Sequence, residues 1–88
     1  MPALGRDDFM KLNQQQRDLL NILADEWEKI GPPGYAETKV IAKQLKISVT
    51  ETKSTIRSLF VMGFVDTDAV DTFAAYLTPE GYEMARKK

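Results

Sequence analysis

The sequence predicts a mainly helical α+β domain: three helices sharing one core, a β-hairpin after them, and a short C-terminal helix. Two observations carry this. Apolar residues recur at helical spacing over three segments separated by turn signals, and the stretch "FVDTDAVDTFAAYLT" then changes to short Val-, Thr-, Phe- and Tyr-rich runs about a polar centre. Length sets the scale, since 88 residues, 43% hydrophobic and 28% charged, suffice for one small core and not for two. Residues 1 to 11 read as an N-terminal arm and residues 12 to 88 as the domain.

Each element has a local reason. From Leu12, the residues Leu19, Leu20, Leu23, Trp27 and Ile30 share one helical stripe opposite Gln, Asn, Asp and Glu. Asn13 is placed to cap this helix, with Gln16 as the returning partner of a capping box. The helix stops at "GPPG", where Gly31 is expected as a left-handed C-cap and Pro32 has no N–H to donate. Trp27 lies on the apolar stripe and is therefore read as core rather than as a stacking platform.

A short strand is expected near Tyr35 and Ala36. The second helix is expected from Thr38, as N-cap, to Leu45 or Lys46, with Ile41, Ala42 and Leu45 inward. After the turn "KIS", Ser48 or Thr50 caps a third helix, from about Val49 to Met62, whose inward stripe is Thr52, Ile56, Leu59, Phe60 and Gly63. The predicted core is Leu20, Leu23, Trp27, Ile41, Leu45, Ile56 and Leu59. Two short helices joined by a tight turn and backed by a third make a helix-turn-helix. The hairpin spans residues 64 to 78, and Thr78 followed by Pro79 and Glu80 opens the last helix, with acids at its front and Arg86, Lys87 and Lys88 at its end.

Composition bounds the chemistry. The chain has neither cysteine nor histidine, which removes disulfides, thiolate nucleophiles, imidazole bases and the usual zinc ligands. The carboxylates Asp25, Glu26 and Glu28 read as a solvated helix face. The expectation is therefore a non-enzymatic protein without cofactor or metal. No apolar run approaches the roughly 18 residues of a membrane span, and "MPALGRDDFM" has no signal-peptide core. A cytoplasmic address without a membrane partner is expected.

The ordered pieces "IAKQLKIS", then Ile56, Leu59 and Gly63, then "GFV", then "YLTPEG" resemble the winged helix-turn-helix superfamily of prokaryotic transcriptional regulators. The ending "LTPEG" is similar to that of the wing in MarR-like regulators. "QQRDLLNIL" followed by "GPP" is more loosely similar to the N-terminal domains of LexA-type repressors. The likeness covers about residues 12 to 85. It implies a double-stranded DNA partner and a reading helix in the major groove. The chain departs from the family in three ways: Lys46 stands where many relatives have glycine, the wing carries Asp66, Asp68 and Asp71 with no lysine or arginine, and the long dimerisation helices of MarR proteins are absent.

Charge is distributed unevenly. Residues 38 to 65 hold Lys39, Lys43, Lys46, Lys53 and Arg57 against Glu51 alone, a local balance of +4, whereas residues 1 to 37 balance at −3 and residues 66 to 88 at −2. Lys39, Lys43 and Lys46 would form one stripe if the second helix ran through Lys46, suited to phosphate. On the third helix Thr50, Lys53, Ser54 and Arg57 share the polar face, where Arg57 could take guanine O6 and N7 together. The expected function is a DNA-binding transcriptional regulator, acting as a homodimer or with a protein partner. The alternative is a protein-interaction module in which the acidic hairpin and the aromatics Phe73 and Tyr76 face the partner.

Overall fold

A computed structural model describes residues 12 to 68 and 71 to 87; the arm expected over residues 1 to 11 lies outside them. The order is α1 (Gln14–Ile30), β1 (Tyr35–Glu37), α2 (Thr38–Leu45), α3 (Val49–Met62), β2 (Val65–Thr67), β3 (Ala74–Leu77) and α4 (Pro79–Arg86). The protein is thus mainly helical with a small antiparallel sheet, as its periodicities predict.

The start of α1 is fixed by the anticipated capping box: the Asn13 side chain accepts the Gln16 N–H, and the Gln16 side chain accepts the Asn13 N–H. Gln16 also donates through Nε2 to Ser58 Oγ at 2.9 Å, and its neighbour Gln15 donates to Thr55 Oγ1 at 3.1 Å. The cap therefore also ties α1 to α3. At the other end Gly31 has φ 96° and ψ 164°, so it is not a left-handed cap but a nearly extended mirror conformation open essentially to glycine. That geometry turns the chain directly into the prolines and on to β1.

The sheet order is β1-β3-β2, antiparallel throughout. Its inner face offers Ala36, Ala75, Val65 and Leu77, all buried. The outer face carries Tyr35, Tyr76 and Asp66 side by side, with the tyrosine rings 5.1 Å apart. Leu19, Leu20, Leu23, Ile41, Ile56 and Leu59 form the centre with almost no exposure.

Three further expectations need correction. Thr38 is not the N-cap of α2. Because β1 runs into the helix without a linker, Glu37 holds that position, and the Thr38 hydroxyl bonds the hairpin instead. Phe60 is exposed while Thr55 is buried, since the Thr55 hydroxyl donates back to Glu51 O and needs no water. Trp27 and Leu45 are only partly buried and pack on the rim of the core. Trp27 stacks on Tyr82 of α4, ring centroids 4.9 Å apart. The end of α2 at Leu45 is the earlier of the two expected, with Lys46 as its C-cap.

The motif "YLTPEG" has a local explanation. Thr78 caps α4 by accepting the Gly81 N–H, its own hydroxyl donates to Gly63 O, and its N–H donates to Phe64 O. A Cβ at Gly81 would collide with the Phe64 carbonyl oxygen. Glycine therefore lets α4 begin hard against the chain leaving α3.

Candidate nucleic-acid interface

α2 and α3 are joined by Lys46, Ile47 and Ser48. To reverse direction so quickly, α2 ends on a left-handed residue. Lys46 has φ 61° and ψ 42°, and the Ile47 N–H donates to Ala42 O at 3.1 Å. Gly63 closes α3 by the same pattern. Glycine takes this conformation freely, whereas a residue with a Cβ carries roughly 1–2 kcal/mol of strain there. Ser48 then caps α3 by accepting the Glu51 N–H at 3.0 Å.

These turns decide where the expected contact residues fall. On α2, Lys39 and Lys43 are exposed one turn apart, opposite the buried Ile41 and Ala42. Lys46 is exposed but leaves the helix, so the three lysines do not form one helical stripe. Lys46 belongs to the turn between the helices. On α3, Thr50, Ser54 and Arg57 are exposed at i, i+4 and i+7, and Lys53 flanks them half-buried. Val61 continues the same row and is 84% exposed. Val61 is hidden in the sequence by the apolar run "LFVMG", and only its spacing from Arg57 marks it as part of this row.

Arg57 is not an isolated cation. Its Nε donates to Thr72 Oγ1 at 3.0 Å, tying α3 to the loop between β2 and β3. The hairpin carboxylates have structural occupations too. Asp68 accepts the Phe73 N–H, at 2.8 Å through the nearer oxygen, and so closes the loop, while Asp66 accepts the Thr67 N–H at 2.9 Å.

Ion pairing is segregated. Arg86 of α4 meets Asp25 and Glu28 of α1, each at 2.8 Å, and donates to Asn21 as well. The Arg86 guanidinium, helped by the Tyr82 hydroxyl, holds the Glu28 carboxyl below its ordinary range. The same contact with Glu28 pushes Tyr82 up. Among the described residues, no ion pair involves Lys39, Lys43, Lys46, Lys53 or Arg57. The acidic support neutralises itself in part, and the basic face keeps its charge.

No helix of the described residues is long and apolar enough to cross a membrane. Among them, no group of three or more His, Cys, Asp or Glu is placed to hold a metal ion. No protein-family model matches the chain, and no curated protein matches it.

Proposed function

We propose that this domain is a winged helix-turn-helix that binds double-stranded DNA and regulates transcription. In this reading α3 lies in the major groove with Thr50, Ser54 and Arg57 toward base edges, and α2 crosses the backbone with Lys39 and Lys43 toward phosphates. Lys46 adds a phosphate contact from the turn, and Lys53 sits at the edge of the reading face. The observation that carries the reading is the segregation of charge: five cations on two short helices and their turn lack carboxylate partners among the described residues, while Asp25 and Glu28 of α1 are matched by Arg86 of α4. The β2–β3 hairpin, the wing of this arrangement, carries Asp66, Asp68 and Asp71. Its carboxylates would repel phosphate, so groove reading rests on α3.

A protein-interaction role is the second reading. It is favoured by Phe73, 53% exposed beside the acidic loop. Binding to random duplex DNA across a salt series separates the two. A DNA-binding domain retains weak affinity for any sequence, falling steeply with salt in proportion to the phosphates neutralised. On a selected site, Arg57→Ala should cost about 1–3 kcal/mol and spare random sequence, whereas Lys39→Ala should weaken both alike. Absence of salt-sensitive duplex binding would leave the protein-interaction role.

A further inference from the structure

Thr72 lies in the β2–β3 loop, and two other elements meet it there. Its side chain is buried, 1% exposed, between exposed Asp71 and Phe73. Its φ of 53° puts a β-branched residue in the left-handed region, where glycine, asparagine or aspartate is usual. Neighbours hold it there. The Thr38 hydroxyl donates to Thr72 O at 2.5 Å, the Thr38 N–H donates to Phe73 O at 2.8 Å, and Asp68 accepts the Phe73 N–H. What this conformation delivers is a hydroxyl aimed at α3, accepting from Arg57 Nε. A residue kept in a disfavoured conformation by so many contacts points to a task for its side chain.

We infer that Thr72 is a positioning residue: its hydroxyl fixes the Arg57 guanidinium so that the two terminal nitrogens are presented together to one guanine. This rests on the DNA-binding reading above. Arginine carries five N–H donors in a planar fork. Anchoring Nε fixes the plane and leaves Nη1 and Nη2 as a parallel pair, the geometry that guanine O6 and N7 accept. A phosphate is served nearly as well by an unanchored cation. The anchor therefore acts on base preference, by removing side-chain freedom before binding, and has little effect on affinity for random sequence. Thr38 acts on the same loop from α2, so the helix assigned to the phosphate backbone also helps hold the reading residue.

The test uses the full chain with Thr72→Val, which removes the hydroxyl and keeps the branched shape, and Thr72→Ser, which keeps the hydroxyl. In the free protein, the Arg57 Nε–H signal should exchange slowly with solvent in the wild type and in Thr72→Ser, and rapidly in Thr72→Val. On a site selected from random duplexes, Thr72→Val should lower the preference for guanine at one position by about tenfold, the scale of a bidentate base contact. Its affinity for scrambled duplex and its salt slope should stay unchanged, and Thr72→Ser should keep the preference. In an Arg57→Ala background, Thr72→Val should change base preference no further. Rapid exchange in the wild type would remove the anchor without touching the DNA-binding reading. An unchanged guanine preference in Thr72→Val would overturn the positioning role, and so would its loss in a folded Thr72→Ser. A wild type with no duplex affinity at low salt would overturn the functional reading and this inference with it, whatever the exchange rates.

Discussion

Lys46 and Thr72 are the two non-glycine residues with positive φ among those described, and both adjoin the basic face. At Lys46 the physical alternative is simple. Gly63 ends α3 in the same pattern without a Cβ, so the fold does not require a side chain at such a turn. Lysine there accepts backbone strain and places an exposed charge between the two helices. Lys46→Gly should therefore stabilise the domain by about 1 kcal/mol, by relieving the left-handed Cβ, and raise its melting temperature. The same change should lower the slope of log affinity against log salt on random duplex by about 0.9, the value for one phosphate contact. A stabilised variant with an unchanged slope would show that Lys46 serves solubility alone. Stability and binding thus move in opposite directions at one position, which a merely solvated lysine would not produce.

At the scale of elements, α4 seals α1 through two kinds of contact. Trp27 stacks on Tyr82, and Arg86 reaches Asp25 and Glu28 from above that stack. Arg86 stays charged throughout, and folding shifts the titration of Glu28 across the clamp. Its carboxyl is held below its ordinary value of 4.5, first by the Arg86 hydrogen bond and then by that from Tyr82. A depressed carboxylate contributes stability above its unfolded pKa and loses it as pH falls through the lower folded value. The melting temperature should accordingly drop on acidification below about pH 4.5, and Glu28→Gln should flatten part of that drop while leaving duplex binding near neutrality unaltered. A pH profile identical in the variant would show that the clamp is too solvated to matter. How far these elements were legible follows the range of the interactions that set them. The caps Asn13, Ser48 and Thr78 answer to partners three residues away and could be read directly. The exchange of Phe60 for Thr55 on the inner face of α3 could not, because it depends on a hydroxyl bonding back into its own helix. The Arg57–Thr72 contact spans 15 positions and two elements, and no periodicity announces it.

For the whole molecule, the acidic total and the basic face are compatible because charge acts locally. Net charge is −1, yet the α2–α3 region balances at +4. Between exposed charges, interactions fade beyond a Debye length of about 8 Å at physiological salt, whereas the molecule measures 36 × 26 × 23 Å. Acids on α4, which packs chiefly on α1, therefore weigh little on a phosphate beside α2. Two double variants turn this into a measurement. Glu80→Gln with Glu83→Gln raises the net charge by two; Lys39→Ala with Lys43→Ala lowers it by two. If net charge governed association, the first should strengthen random-duplex binding about as much as the second weakens it. If local contacts govern it, the α4 pair should leave the salt slope unchanged, and the α2 pair should reduce it by about 1.8. The slope reports counterions displaced at the contact, so it distinguishes a phosphate-facing lysine from a remote charge where affinity alone would not. Equal and opposite responses would place no particular face on the DNA, and a flat slope for the wild type would leave the basic surface to a partner other than a polyanion.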